Sequence, residues 1–172
     1  THNQKENEVI SLISYLEHGF ILQDRDMLSG QGFLRFQTAQ QARNRLADFE
    51  TIQRQIIAAA LRHSVKLELA SADTSADLTL PQIQNMDQWI ESQTKIAEDV
   101  ADMGRELMKS GIDASGITVA ISDLSRDSAR SMQEKDLEMA RQYQSQIMTM
   151  IHSLKRLLDQ EMRYDPMIDP SL

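Results

Sequence analysis

Hydrophobic residues recur along this chain at intervals of three and four, which is the spacing of one face of an α-helix. In the first stretch, this spacing aligns four apolar residues: Val9, Ile13, Leu16 and Phe20. The pattern predicts a first helix that begins near Glu6, fades near residues 24–26 and extends at most to residue 28.

The segment FILQDRDMLSGQGFLRF, residues 20–36, interrupts the helical pattern. Gly30 and Gly32 leave helical dihedral angles at little cost, which favours a connection between two helices. A phosphate-binding loop requires a lysine and a hydroxyl residue after its last glycine, and Phe33 and Leu34 stand there instead. We therefore interpret the segment as a connection and not as a nucleotide site.

Three further helices follow from the same spacing. A second helix is predicted for residues 36–70, and the polar residues 71–77 then form a loop. A third helix begins near Pro81 and ends at the segment SGIDASG, residues 110–116. In that segment Gly111 is expected to cap the third helix, and Asp113 or Ser115 to cap the fourth. The fourth helix is predicted to run without interruption from residue 116 to residue 163.

Four helices of unequal length with short connections predict an all-α fold, an antiparallel four-helix bundle with a long C-terminal helix. We expect residues 1–165 to form one domain and residues 166–172, which contain Pro170, to form a tail. The fourth helix is longer than the first helix can cover. Its uncovered apolar stripe predicts self-association into a homodimer.

Composition narrows the fold class and the classes of partner. Glycine, proline and aromatic residues are scarce, which argues against a β-sheet fold. The net charge of −8 disfavours binding to nucleic acid. The absence of cysteine excludes disulfides, thiolate catalysis and iron–sulfur clusters. No apolar run is long enough to span a membrane. Because the chain begins with Thr1, we expect a processed or excised form, which is compatible with the earlier removal of an anchor or targeting segment.

Residue spacing gives no support for catalysis or for a bound metal. A di-iron bundle requires Glu-x-x-His motifs, and none is present. The four histidines include no pair four residues apart, so a zinc site from neighbouring helical positions is disfavoured. Serine and threonine have no histidine and carboxylate at a recognised spacing. We therefore expect no enzyme activity, no cofactor and no metal.

Three residues are candidates for binding. Gln53 and His63 lie on the apolar stripe of the second helix, and Trp89 lies on that of the third. Polar side chains on such a stripe need hydrogen-bond partners. They would orient a small ligand, fix the register between helices, or lie where the bundle opens to water.

Two short motifs resemble known families. MIHSLKRL, residues 150–157, resembles the His-x-Leu-Lys motif of histidine phosphotransfer domains, which are also four-helix bundles. The resemblance implies His152 as the phosphoacceptor, although Arg156 replaces the glycine of that motif. LTLPQ, residues 78–82, resembles the Leu-Thr-x-x-Gln box of the periplasmic Spy/CpxP stress proteins, which form dimeric helical cradles and carry the box twice.

These observations predict a non-enzymatic helical binding module. Its partner is another protein or a second copy, and a small ligand is compatible. The favoured class is a sensory or regulatory domain, such as the extracytoplasmic input domain of a signalling protein. The alternatives are a periplasmic chaperone-like or adaptor dimer and a histidine phosphotransfer protein that uses His152. The compartment stays open, with an extracytoplasmic location favoured over the cytoplasm.

Overall fold

The structure, a computed structural model, describes residues 2–17, 30–72 and 80–163. These residues form five α-helices and no strand, which confirms the all-α fold class. The helices are α1 (His2–Glu17), α2 (Gly30–Ala72), α3 (Leu80–Lys109), α4 (Ser115–Gln133) and α5 (Leu137–Arg163).

Four of the helices enclose the core. The α2 helix packs against α3 and α5, α3 packs against α4, and α4 packs against α5, while α1 lies on α2. Each of the four central helices contributes apolar side chains that are almost fully buried, among them Leu46, Ile56, Ile96, Met103, Leu107, Ile121, Met132, Ile147, Ile151 and Leu154. Burial of one such side chain stabilises the fold by about 1.5–3 kcal/mol.

Gly111 ends α3, as predicted from the sequence. It has a positive φ of 83°, and its N–H donates to the carbonyl oxygen of Met108. The next N–H, that of Ile112, donates to the carbonyl oxygen of Leu107, which completes a Schellman motif. The predicted N-cap of α4 is wrong, because Ala114 occupies that position. Asp113 instead accepts hydrogen bonds from the backbone N–H and the hydroxyl of Ser115.

The prediction of one long C-terminal helix is wrong, because residues 134–136 separate α4 from α5. Lys135 adopts a φ of 61°, in the left-handed region that glycine usually occupies at a helix end. The N–H of Lys135 donates to the carbonyl of Met132, and the N–H of Asp136 donates to that of Ser131. The Asp136 carboxylate then accepts the N–H of Met139 and caps the start of α5.

This turn changes which residues of α5 face the core. Leu137, Ala140, Gln144 and Ile147 are buried, whereas Met139 is exposed and Tyr143 is partly exposed. The stripe predicted through Met139 and Tyr143 is therefore displaced by one residue in this stretch. Because the two helices fold back on one another, the apolar stripe is covered within one chain. The reason given from the sequence for self-association through this stripe therefore does not hold.

The start of α2 also differs from the sequence prediction. Residues 30–36 are helical and not a connection, and α1 begins at His2 instead of near Glu6. Phe36 and Ala39 are buried about two turns into α2. This packing outweighs the cost of about 1 kcal/mol for each helical glycine. The rest of the predicted connection, residues 73–77 of the loop and the C-terminal tail lie outside the described residues.

The strained turn between α4 and α5 leads to a stability prediction. A non-glycine residue in the left-handed region costs about 1 kcal/mol or more. We expect Lys135→Gly to raise the free energy of unfolding by about 0.5–1 kcal/mol, because glycine adopts this φ without steric cost. Urea denaturation would measure the change.

Lys135→Ala is the matched control, since it removes the same side chain and keeps the Cβ. It should leave stability nearly unchanged. Equal stabilisation by both substitutions would mean that the lysine side chain, and not the backbone conformation, carries the cost.

Candidate functional site

A layer of buried polar side chains crosses the core, and each central helix contributes one residue to it. Gln53 of α2 and Gln93 of α3 exchange two hydrogen bonds, of 3.1 and 2.8 Å. The hydroxyl of Ser128 in α4 donates to Oε1 of Gln93 at 3.2 Å. Nε2 of Gln144 in α5 donates to the hydroxyl of Ser128 at 3.2 Å. All four side chains are fully buried, so this layer joins all four helices.

The polar layer is almost, but not fully, satisfied. Nε2 of Gln144 also lies 3.6 Å from the sulfur of Met132. Among the described residues, Oε1 of Gln144 and the hydroxyl oxygen of Ser125 are buried without a hydrogen-bond partner. A buried polar group left unpaired costs about 1–3 kcal/mol, so this layer favours a specific register at the expense of some stability.

The three binding residues predicted from the sequence do not converge on one site. Gln53 is enclosed in the polar layer and does not reach the surface. His63 lies ten residues further along α2, which corresponds to about 15 Å, and is partly exposed. Trp89 is partly buried against the core, one helical turn before Gln93. Gln53 and Trp89 therefore lie near the same layer, and His63 lies towards the end of the helix.

A cluster of charges surrounds Glu50 on the face where α2 meets α5. Its carboxylate lies 2.7 Å from Arg54, 3.3 Å from Nε2 of His152 and 3.5 Å from Nζ of Lys155. The Glu50 side chain is 13% exposed, whereas that of His152 is 50% exposed. The residue predicted as a phosphoacceptor therefore has its Nε2 occupied by a carboxylate. An incoming phosphoryl donor, which the imidazole nitrogen would have to attack, would meet that negative charge.

The pKa of Glu50 reflects these neighbours. Burial raises the pKa of Glu50. The hydrogen bond with His152 and the charges of Lys155 and Arg54 together lower this pKa by more than burial raises it, so it lies below the ordinary value of 4.5. Two more ion pairs connect the same helices, Arg43 with Asp159 and Arg35 with Glu161. The α2–α5 contact is thus apolar inside and ionic at its edge.

The contact between α3 and α4 depends on small side chains. A Cβ atom added to Gly104 would lie 2.3 Å from Oγ1 of Thr118, which is closer than two such atoms can approach. The Thr118 hydroxyl donates to the carbonyl of Ala114. One turn further along α4, Ser122 donates to the carbonyl of Ala97. Gly104 therefore allows a close approach of the two helices.

A surface groove of about 360 Å³ lies over this contact. Small residues form its floor, the exposed side chains of Met108 and Val119 stand at its edge, and three charged residues surround it. The lining residues are Ala101, Gly104, Arg105, Met108, Ser115, Thr118, Val119, Ser122, Asp123 and Arg126. An apolar floor with charges around it suits an apolar side chain that carries polar neighbours.

The charged residues around the groove are partly neutralised. Arg105 pairs with Asp102, and Arg126 lies 3.7 Å from Asp123. Both arginines are more than half exposed, so their interactions with these partners are weak and readily exchanged. In the part of the chain that the structure describes, no three histidine or acidic side chains lie close enough to hold a metal ion.

Comparison with known proteins adds no family assignment. No protein-family model, no curated protein and no solved structure matches the chain. Among the described helices, none has both the length and the apolar composition to cross a membrane. The functional argument therefore rests on the geometry of the groove and the polar layer.

Several residues of the polar layer and the groove were not predicted from the sequence. Gln93 and Gln144 were not identified, although Gln93 continues the spacing from Trp89 to Ile96 and Ala97. The groove was also missed. Its signal was present as small residues at helical spacing, Ala97, Ala101 and Gly104 in α3 and Ser115, Thr118 and Ser122 in α4.

A double-mutant cycle tests the polar layer. Gln53→Met keeps the length of the side chain but leaves the amide of Gln93 without its partner, so we expect a loss of about 1–3 kcal/mol of stability. Gln93→Met should then cost about 1 kcal/mol less stability in the Gln53→Met protein than in wild type. Urea denaturation measures each step, and the exposed Gln55→Met is the control. Strictly additive losses would contradict the proposed coupling.

The charges around Glu50 predict a pH-dependent contribution to stability. Because its folded-state pKa lies below the unfolded-state value, the contribution is present above the unfolded-state value. It is lost as the pH falls through the folded-state pKa. We expect wild type to exceed Glu50→Gln in stability at pH 6, and the difference to shrink progressively below pH 4.5.

Urea denaturation of both proteins at several pH values would measure this difference. Glu106→Gln serves as a control, since Glu106 is exposed and its carboxylate pairs with Lys109 of the same helix. A difference between wild type and Glu50→Gln that stays constant down to pH 3 would contradict the assignment.

Proposed function

We propose that the chain is a non-enzymatic protein-binding module, in which α2–α5 form an antiparallel four-helix bundle and the groove between α3 and α4 receives an apolar segment of a partner. The favoured biological role is that of a sensory or regulatory domain. The groove is the observation that carries this proposal, and the bundle is the scaffold that holds it.

The pairing of residues supports the antiparallel arrangement. Arg35 near the start of α2 contacts Glu161 near the end of α5, while Glu50 contacts His152 further back. Thr38 lies 2.9 Å from Ser110 at the end of α3, while Gln53 contacts Gln93. In both pairs of helices, higher residue numbers on one side meet lower numbers on the other. The contacts from α3 to α4 follow the same rule, since Ala97 meets Ser122 and Gln93 meets Ser128.

The groove supports protein binding better than catalysis. Its lining is mostly apolar and faces solvent, and it contains no histidine that could activate one of its serine or threonine hydroxyls. Met108 is 48% exposed and Val119 is 56% exposed. Methionine adapts its shape to different partners, and a groove between two helices is a common site for an amphipathic helix.

Two alternatives give the chain a different role. A chaperone-like or adaptor dimer would use the same apolar groove for an unfolded client or for a fixed partner. A phosphotransfer protein would use His152, whose ring is half exposed on α5. The carboxylate of Glu50 beside Nε2 favours the binding module over phosphotransfer.

Titration with helical peptides tests the groove. Synthetic amphipathic peptides with leucine or methionine anchors and acidic flanks should shift the amide NMR signals of residues 101–108 and 115–126. We expect saturable binding with a Kd below about 1 mM, or about −4 kcal/mol. Scrambled peptides of the same composition should not bind, because their apolar residues do not share one face.

Two variants test whether the peptides bind in the groove. Val119→Asp puts a charge at the groove edge and should weaken peptide binding at least about tenfold, since a buried charge is costly. Gln146→Asp adds the same charge to an exposed position of α5 and should leave binding unchanged. Absence of saturable binding by every helical peptide, or equal binding by wild type and Val119→Asp, would overturn the proposal.

A further inference from the structure

The turn between α4 and α5 has little support from its own residues. Positions 134–136 are Glu, Lys and Asp, with neither glycine nor proline among them. Glutamate and lysine are good helix formers, and aspartate is tolerated in a helix. Lys135 nevertheless adopts a φ of 61°, a conformation that strains a residue with a Cβ. The turn therefore depends on the packing of α5 back onto the bundle.

The hydrogen bonds of this turn have equivalents in a continuous helix. The N–H of Lys135 now donates to the carbonyl of Met132, and the N–H of Asp136 to that of Ser131. In a helix each N–H donates four residues back, so the same two donors would exchange the same two acceptors. The N–H of Met139, which the Asp136 carboxylate accepts, would donate to the carbonyl of Lys135. A helix that runs straight through residues 134–136 thus keeps these bonds and removes the strain.

A single chain does not gain from straightening this helix. The α5 helix would leave α2 and α4, and its fully buried side chains Ile147, Ile151, Leu154 and Leu158 would enter water. Their exposure would cost far more than the strain at one residue. The straight helix is therefore compatible with folding only if a second copy of the chain supplies the surfaces that cover α5.

We propose that two copies of this chain exchange α5, with α4 and α5 of each copy joined into one continuous helix. The α5 helix of each copy then packs on α2 and α4 of the other, in a symmetric, domain-swapped dimer. Beyond the hinge at residues 134–136, the exchange repeats between chains the contacts that α5 makes within one chain. A short hinge under strain favours such an exchange. The α3–α4 groove stays within one chain, so this inference does not depend on the proposed function.

Two side chains next to the hinge stand where the dimer would form new contacts. Met139 is 39% exposed, and Tyr143, one turn further along α5, is partly exposed. Residues four positions apart lie on the same side of a helix. In a symmetric exchange the two hinges meet near the two-fold axis. Met139 and Tyr143 of both copies are then available to cover one another.

Refolding at different concentrations tests the exchange. Because α5 must leave the bundle, the protein is unfolded in urea and refolded at about 10–500 µM before sedimentation. The fraction of dimer should rise with protein concentration. Asp136→Ala removes the N-cap of α5 and favours the continuous helix at both hinges, so it should lower the Kd of the dimer at least about tenfold. If wild type and Asp136→Ala both remain monomeric at about 500 µM, the proposal is wrong.

Two substitutions of Lys135 test the hinge, and both are made in the Asp136→Ala protein, whose dimer is expected to be stronger. Lys135→Gly relieves the turn and weakens the continuous helix, so it should raise the Kd at least about tenfold. Lys135→Ala keeps the Cβ and the helical preference, and it should leave the Kd unchanged within about threefold. Equal dimerisation of the two proteins would overturn the proposal, because the dimer would then not depend on a straight hinge. Circular dichroism checks that each variant folds.

Crosslinking distinguishes the exchange from any other dimer. Arg35 of α2 and Glu161 of α5 form an ion pair of 2.7 Å, and the chain has no cysteine. Chains with Arg35→Cys and chains with Glu161→Cys are refolded together and treated with a short bismaleimide. We expect a crosslinked dimer, because α5 of one chain lies on α2 of the other. Each variant refolded alone is the control. A dimer that gives no more crosslinked product in the mixture than in the controls would rule out the exchange.

Discussion

The hydrogen bonds between Gln53, Gln93, Ser128 and Gln144 constrain every central helix at once. A buried amide that loses its partner costs about 1–3 kcal/mol, so sliding any one helix past its neighbours is opposed in several places. Apolar contacts alone tolerate such sliding more easily, because apolar side chains of similar volume substitute for one another. The polar layer therefore determines which residues of neighbouring helices meet, and the apolar core supplies most of the stability.

The groove is a consequence of that register. Gly104 lies three turns beyond Gln93 on α3, and Thr118 lies about three turns before Ser128 on α4. With the layer in place, the residue without a Cβ faces the threonine, and the two helices approach closely. Small residues along this contact leave little side-chain volume above it, while Met108 and Val119 extend beside it. The polar layer that fixes the register of the helices thus also leads to the surface to which we assign binding.

Electrostatics act mainly at the edge of the α2–α5 contact. Glu50 is nearly buried, which raises its pKa, yet the hydrogen bond with His152 and the charges of Lys155 and Arg54 hold that pKa below its ordinary value. Its carboxylate also contacts Nε2 of His152, a contact that a phosphoryl donor at this nitrogen would have to displace. The same histidine that fits a short sequence motif acts here as a partner of a carboxylate on a neighbouring helix. A motif of three residues on one helix contains no information about the helix beside it.

The sequence by itself determined the helical class, the end of α3 at Gly111 and much of the apolar core, because these depend on residue spacing and on local backbone preference. It did not determine the turn at Lys135, since a non-glycine residue accepts a positive φ only when the packing of α4 against α5 compensates for it. Likewise, helical packing at Phe36 and Ala39 overcame the preference of Gly30 and Gly32 for a connection. Gln53 was recognised as unusual, but its partner Gln93 is 40 residues away. The polar layer and the groove exist only between helices, so only the tertiary structure decided them.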